Sequence, residues 1–277
     1  MRRQRTQRWV VGGSAIVASV VVFLVPFAFI LLQSAKTAPD ANQLGFTWPT
    51  EWVIWHNFTT VLQTNNSMLL RAFLNSSLLT VTSVAIMVVF AAMVGYVLQR
   101  KRNRLNPIIN FFVLAGLIVP PAVVPTIWLL QRVGLFKTMP GMILVEATFG
   151  LSFCILLFRA FVSTIPKELD EAAILDGAGP IRLFFSVVMP LLRPVIVTVI
   201  VVQSVAVFND FTGPLYFLPG DENSTVQLTL YNFQSTAVNQ YNLLFMDILL
   251  ITIPPLVLFI FFNRQIVAGM TSGAVKG

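Results

Sequence analysis

The sequence predicts an all-α membrane protein with about six transmembrane helices. Hydrophobic residues occupy 56% of the 277 positions and charged residues only 10%, whereas soluble domains contain about 25% charged residues. Several apolar runs are long enough to cross a hydrocarbon core of about 30 Å. These runs leave no stretch from which a soluble domain could be built.

The apolar runs follow one another along the whole chain. They cover residues 9–32, 69–98, 108–130, 140–161, 184–208 and 243–263. The first run follows four arginines, but it is longer than the apolar core of about 7–15 residues in a signal peptide, so we expect a retained membrane helix. The third run contains Pro120, Pro121 and Pro125. Proline interrupts helical hydrogen bonding, so we expect that span to be kinked or broken.

The distribution of basic residues predicts the orientation of the chain. Of the 18 Lys and Arg residues, 14 lie on the side of the amino terminus, and segment 209–242 contains none. Cytoplasmic loops carry the excess of Lys and Arg, so both termini are predicted to be cytoplasmic and segment 209–242 external. This arrangement accounts for the net charge of +7 without a nucleic-acid partner. Residues 1–68 are predicted to form an amino-terminal transmembrane helix and an external loop at the membrane interface, and residues 69–277 the transmembrane core.

A polar insert, residues 165–194, interrupts the apolar pattern between the fourth and fifth runs. Pro166 suits the first turn of a helix, and the acidic residues that follow alternate with apolar ones at helical spacing. Gly177 and Gly179 then predict a turn, and a second short helix is expected over residues 181–188. The insert therefore predicts a helix, a glycine elbow and another helix, presented to the cytoplasm.

The insert resembles the EAA signature of membrane subunits of binding-protein-dependent ABC importers. The resemblance is carried by Glu171-Ala172-Ala173, by Gly177 after three further residues, and by Val187, Met189 and Pro190. Asp176-Gly177-Ala178 resembles the corresponding residues of the carbohydrate-importing, maltose-type branch of this family. Within that branch, the chain resembles the second of the two permease subunits. The resemblance implies a type I importer permease fold, in which this insert is the coupling helix that docks on a cytoplasmic ATPase subunit. The residues implied in coupling are Glu171, Ala172, Ala173, Asp176, Gly177, Ala178 and Pro190.

A second stretch, residues 208–215, resembles a motif of the same branch, with Phe208 in place of its usual Trp. The candidate residues for a translocation path are Phe208, Asn209, Asp210, Phe211, Gly213, Pro214 and, in the fourth run, Glu146. Polar groups there can bind sugar hydroxyls and an aromatic ring can stack on a sugar face. The alternative for the motif is a cap and turn at a helix end. For Glu146 we favour pairing with a cation of an adjoining helix, because an unpaired carboxylate within a membrane is costly.

The carboxyl-terminal tail, residues 264–277, also resembles this branch. In the family such a tail reaches between the two ATPase subunits, which implies contacts for Gly273, Ala274, Val275 and Lys276. The alternative is a frayed terminus.

Absent motifs limit the chemistry of this chain. It contains no P-loop motif, and with one histidine, His56, and one cysteine, Cys154, no metal site or catalytic cluster is expected. We therefore expect no enzyme activity and no cofactor on this chain, with ATP and Mg²⁺ bound by partners. The resemblance implies a second homologous permease, two ATPase subunits and an external solute-binding protein, in a prokaryotic cytoplasmic (inner) membrane.

Two alternatives to a carbohydrate importer remain open from the sequence. A permease for glycerol phosphates or another polar solute would share the same motifs. An ion-coupled secondary transporter would work without an ATPase, but it usually shows an internal repeat, and none is found here.

Overall fold

The computed structural model describes residues 2–101, 103–220, 222–236 and 240–272, of which 2–11, 232–236 and 263–272 are described by backbone alone. All the regular elements within these ranges are helical. The first half contains α1 (Arg2–Ser34), α2 (Ala38–Ala41), α3 (Ile54–Arg100), α4 (Asn106–Ile118), α5 (Val123–Arg132) and α6 (Met139–Val162). The second half contains α7 (Glu168–Leu175), α8 (Pro180–Arg182), a π-helical turn (Leu183–Val188), α9 (Met189–Leu191), α10 (Arg193–Phe208), α11 (Thr212–Phe217), α12 (Val226–Thr236) and α13 (Tyr241–Ser272).

The prediction of an all-α protein with about six spans is confirmed. Four helices are long and apolar enough to cross a membrane, and two bent helix pairs bring the total to as many as six if each pair is one span. One of these pairs is α4 and α5, which meet at 118°. Pro120 and Pro121 lie in the short link between them, so the predicted break in the third apolar run is confirmed.

The fifth apolar run differs from the expected single span over residues 184–208. The chain is helical over Pro180–Leu191, bends by 75°, and continues as α10. Pro190 has no N–H to donate to the carbonyl of Ser186, and Pro194 occupies the first turn of α10, so the two prolines favour a break between them. The π-helical turn just before Pro190 is a second departure from α-helical hydrogen bonding at the same place.

The chain forms two compact units. The first combines the described parts of Met1–Leu70 and Thr229–Ile253, so it extends beyond the predicted amino-terminal region. The second combines those of Arg71–Leu228 and Pro254–Gly277. Residues 64–67 of α3, in the first unit, have non-helical backbone angles, and Pro254 and Pro255 lie within α13.

The polar region between α1 and α3 is folded around a buried lysine. The side chain of Lys36 is fully buried, and its Nζ donates hydrogen bonds to the carbonyl of Gly45 at 2.8 Å and to Oγ1 of Thr47 at 3.1 Å. Asn57 Nδ2 donates to the carbonyls of Ser34 and Lys36, each at 2.8 Å. Because these bonds satisfy buried backbone groups, the region expected as an interfacial loop is a structured part of the first unit.

The core of the second unit depends on close packing between α3 and α6. A Cβ atom added to Gly95 would lie 2.9 Å from both the backbone N of Arg159 and the Cβ of Phe158. Small residues allow membrane helices to approach closely, and dispersion contacts then stabilise the pair. Gly95 therefore sets the separation of α3 and α6.

Replacing Gly95 by leucine should destabilise the protein. Overpacking costs about 1–3 kcal/mol, which corresponds to a fall in melting temperature of roughly 3–10 °C for a protein of this size. The control is Gly12→Leu, because a Cβ on Gly12 meets no atom within 4 Å. Thermal unfolding in detergent measures both variants, and an unchanged melting temperature for Gly95→Leu would contradict the close packing.

Candidate functional site

Residues 165–194, hereafter the EAA segment, fold into two helical arms joined by a tight elbow. The first arm, α7, carries Glu168, Asp170 and Glu171 in its first turn, where negative charge is favourable to the helix dipole. The second arm comprises α8, the π-helical turn and α9. It is longer than the expected helix over residues 181–188 because helical backbone continues through Pro190 to Leu191.

The elbow is a Schellman motif centred on Gly177. The N–H of Gly177 donates to the carbonyl of Ile174 and that of Ala178 to the carbonyl of Ala173, both at 3.0 Å. Gly177 has a φ of +81°, a left-handed conformation that glycine adopts without the steric cost of a Cβ. The predicted end of the first helix at this glycine is therefore observed, with its carbonyls satisfied.

Asp170 holds the first arm of the EAA segment against α3. Its side chain is 11% exposed, and Oδ2 lies 2.8 Å from Nε of Arg100, whose side chain is 8% exposed. The contact is an ion pair without linear hydrogen-bond geometry, since the Nε–H has no hydrogen-bond acceptor. Nη2 of Arg100 donates to the carbonyls of Ile165 at 2.8 Å and Pro166 at 3.3 Å. The hydroxyl of Tyr96 also donates to Oδ2 of Asp170, at 3.3 Å.

Sequence reasoning missed this cluster of Tyr96, Arg100 and Asp170. Asp170 precedes the EAA triplet, and in the sequence Arg100 is simply one of the basic residues that predict the orientation of the chain. A single acidic residue in the first turn of an amphipathic helix is ordinarily exposed, and nothing in its spacing distinguishes it from its neighbours.

Five of the seven residues predicted to couple to an ATPase lie on the open side of the EAA segment. Glu171, Ala172, Asp176, Gly177 and Pro190 are exposed, and Ala173 and Ala178 are half-buried. Large apolar side chains are exposed beside them: Ile174 at 57%, Leu175 at 88% and Ile181 at 76%. The segment therefore combines an inward face fixed to the protein with an outward face that has small residues, acidic residues and unburied apolar area.

The 208–215 motif is a helix end followed by a short helix. Asp210 caps α11: Oδ1 accepts a hydrogen bond from the N–H of Thr212 at 3.1 Å, and Oδ2 accepts one from that of Gly213 at 2.9 Å. Exposed Asn209 accepts a hydrogen bond from Gln227 Nε2 at 3.1 Å. This geometry fits the alternative of a cap and turn for Asp210.

The two aromatic residues of the motif differ in exposure. Phe208 is buried in the second unit, so its ring is not available to stack on a sugar as the sequence suggested. Phe211 is exposed, whereas Gly213 and Pro214 are buried.

Glu146 does not pair with a cation in the described part of the chain, contrary to expectation. Its side chain is buried, Oε1 has no hydrogen-bond partner, and the carboxyl group that it contacts is that of Asp210. The expectation fails because the partner depends on which residues face each other across α6 and the end of α10. Two carboxyls in contact repel each other unless a proton or a cation lies between them.

Two further expectations concern the carboxyl-terminal tail and metal binding. The tail residues Gly273, Ala274, Val275 and Lys276 lie outside the described residues. Within the described ranges, no three or more His, Cys, Asp or Glu side chains are grouped so that they could hold a metal ion.

Replacing Glu146 by glutamine should leave the melting temperature unchanged or raise it by up to about 3 °C, because an amide can donate to Asp210 and one repelling charge is removed. Glu168→Gln is the control, since it removes the same charge from an exposed position. Thermal unfolding in detergent measures both. A clear fall for Glu146→Gln would show that a cation stabilises Glu146 instead.

Comparison with known proteins relates this arrangement to transport systems. The chain is 29% identical to the melibiose/raffinose/stachyose import permease protein MelC of Bacillus subtilis, over 99% of both chains. It is also 29% identical to the diacetylchitobiose uptake system permease protein NgcG of Streptomyces coelicolor, over 92% of this chain and 85% of that one.

Solved structures show the same fold. One chain of a bacterial ABC transporter involved in the import of the acidic polysaccharide alginate superposes with a TM-score of 0.81 at 18% identity, covering 95% of this chain and 98% of that one. The family model described as the binding-protein-dependent transport system inner membrane component matches residues 87–272. This chain therefore belongs to the family of inner membrane components of binding-protein-dependent transport systems.

Proposed function

We propose that this chain is one of two permease subunits of an ABC importer that brings a carbohydrate across the cytoplasmic membrane. Its family is one of transport components. Relatives that match nearly all of its length are, by name, an import permease for melibiose, raffinose and stachyose, a probable transport permease for starch degradation products, and a permease of a multiple sugar-binding transport system. The observation that carries the proposal is the EAA segment, which is fixed on one face and exposes large apolar side chains on the other.

The exposed face of the EAA segment is suited to a protein partner. Apolar side chains such as Leu175 gain stability when they are removed from water, and contiguous apolar area beside polar residues is typical of interaction sites. Exposed Ala172 is small enough for close approach of a partner backbone, and Glu171 offers a carboxylate to a basic group. In the proposed complex the partner is a cytoplasmic ATPase subunit, one for each permease.

ATP and Mg²⁺ would bind to the ATPase subunits, because this chain has no P-loop. Closure of the two ATPase subunits would displace the EAA segment of each permease, and the membrane bundles would rock between outward and inward openings. An external binding protein would deliver the solute. Both termini lie in the cytoplasm in this proposal, and the tail residues Gly273 to Lys276 contact the ATPase pair.

The carbohydrate path is proposed to run past the exposed part of the 208–215 motif. The side-chain amide of Asn209 is exposed, although it already bonds Val205 and Gln227. Phe211 has an exposed ring. The amide could exchange these bonds for sugar hydroxyls, and the ring suits the apolar face of a sugar. The buried residues of the motif, Phe208, Gly213 and Pro214, support the turn that presents them.

Affinity purification of the tagged chain from native membranes tests the composition of the complex. We expect an ATP-hydrolysing protein and a second permease to copurify, and uptake in the reconstituted complex to require ATP and a binding protein. A sugar panel that includes glycerol phosphates then identifies the solute class. Transport by the purified chain alone, driven by an ion gradient, would contradict the proposal.

Replacing Gly177 should separate the conformational role of the elbow from its fit against a partner. A non-glycine residue in the left-handed region costs about 1–2 kcal/mol, and asparagine tolerates it best. A Cβ on Gly177 meets no atom of this chain within 4 Å, so any further loss arises in the complex. We expect Gly177→Leu to lower ATP-driven uptake by roughly tenfold or more, at about 1.4 kcal/mol per factor of ten, and Gly177→Asn to lower it less.

Gly179→Ala is the matched control for these variants. Gly179 has φ −68° and ψ 164°, which any residue adopts, and a Cβ there also meets no atom within 4 Å. Uptake should stay near the wild-type rate. Wild-type uptake and ATPase stimulation in Gly177→Leu would count against the role of the elbow in coupling.

A further inference from the structure

We propose that Arg100 is a positioning residue that fixes the EAA segment to the carboxyl end of α3, so that a partner that displaces the segment also displaces α3. The inference rests on the proposed function, since it concerns how the motion of an ATPase enters the membrane bundle. Along the chain the segment is continuous only with α6 and α10. Arg100 adds a third, non-covalent connection.

The contacts of Arg100 reach both the side chain and the backbone of the EAA segment. Its guanidinium forms an ion pair with the Asp170 carboxylate. Its Nη2 donates hydrogen bonds to the carbonyls of Ile165 and Pro166, just before α7. Arginine presents several N–H donors in a rigid planar fork beside a delocalised charge, so one side chain can hydrogen-bond the two carbonyls and attract the Asp170 carboxylate at the same time. Lysine has a single compact ammonium group and cannot reproduce this arrangement.

Tyr96, one turn before Arg100, strengthens the same connection in two ways. Its hydroxyl donates to Asp170 in the first arm of the segment. Its ring contacts that of Phe184 in the second arm, with centroids 5.8 Å apart and planes tilted by 55°. The last turns of α3 therefore contact both arms, and a rigid displacement of the elbow cannot leave α3 in place without breaking these contacts.

The position of Asp170 in α7 allows it to transmit a displacement of the EAA segment to α3. Consecutive helical residues are about 100° apart around the axis, so buried Asp170 faces α3 while exposed Glu171 faces the proposed partner. A force that a partner applies to Glu171 is therefore passed to Arg100 by the adjacent residue, Asp170. Because Asp170 and Arg100 are nearly buried, solvent screens their attraction less than that of a surface pair.

The test replaces Asp170 by asparagine in the complete complex, reconstituted in proteoliposomes with its binding protein. The readout is solute imported per ATP hydrolysed, which a purely structural role would not change in correctly assembled complexes. We expect this ratio to fall roughly 2- to 30-fold, the size of the effects that mutations in coupling networks have. The control Glu168→Gln, on the exposed side of the same helix, should keep the wild-type ratio.

Two milder variants refine the test. Arg100→Lys keeps the charge and loses the planar fork, and should lower the ratio as well. Tyr96→Phe keeps the ring contact with Phe184 and loses the hydroxyl, and should have a smaller effect. Assembled Asp170→Asn and Arg100→Lys complexes with wild-type import per ATP would overturn the proposal.

A measurement that leaves the ion pair intact covers the case in which Asp170→Asn fails to assemble. Spin labels at two exposed positions, Lys101→Cys and Glu168→Cys, report the distance between the end of α3 and α7, in a Cys154→Ala background that is shown to transport. We expect the distance to stay constant between ATP-free and ATP-bound states. A change of more than about 5 Å, the size of a one-turn displacement, would overturn the proposal.

These outcomes are distinguishable from failure of the proposed function. If no ATPase copurifies with the wild-type chain, the importer assignment itself is wrong. If the ATPase copurifies and drives import, the importer assignment stands. Wild-type import per ATP in the Asp170→Asn and Arg100→Lys complexes, or a change of more than about 5 Å between the two spin labels, would then show that only the role of Arg100 is wrong.

Discussion

The ion pair between Arg100 and Asp170 is the interaction on which the arrangement of the EAA segment depends. The segment is the most polar part of an otherwise apolar core, and it must stay attached to that core while one face remains open. A buried pair of this kind is costly to break, because a lone charge would remain away from water. The pair therefore fixes one face of α7, and the Schellman elbow at Gly177 fixes the path of the chain beyond it.

Backbone hydrogen bonding constrains where the membrane helices end and bend. Within the hydrocarbon core each N–H and C=O needs a partner in the protein. A helix is therefore interrupted where proline lacks the N–H donor or where a polar side chain bonds the groups left free at the helix end. The link between α4 and α5 contains Pro120 and Pro121, the bend before α10 lies between Pro190 and Pro194, and the end of α10 is followed by the Asp210 cap. The 208–215 motif is thus architectural as well as a candidate for solute contact.

Local features of the sequence predicted local features of the structure. Apolar run length predicted the helices, clustered prolines the break after α4, and Gly177 the elbow, because each effect acts within a few residues. Contacts across the fold were not predictable in this way. Arg100 meets Asp170, Glu146 meets Asp210, and Lys36 becomes buried, only because of the register in which distant segments pack.

The difference between local features and contacts across the fold also explains which parts of the candidate site the sequence predicts. The EAA triplet and its spacing are legible in one continuous stretch, so the residues proposed to couple to an ATPase could be picked out from the sequence. The residues that hold the stretch in place, Tyr96 and Arg100, belong to another helix and carry no local signature. The bend between Pro190 and Pro194 was also missed, because an apolar run with prolines near one end is compatible with a straight span.

The most direct test of the central claim is photo-crosslinking from position 175, since Leu175 is 88% exposed on the outer face of the EAA segment. A photoreactive amino acid replaces Leu175 in native membranes, and the same probe replaces Phe111, which is 66% exposed on α4. The account predicts an adduct between position 175 and an ATP-binding polypeptide, and none from position 111. Adducts of position 175 with lipid alone, or with an external binding protein, would contradict it.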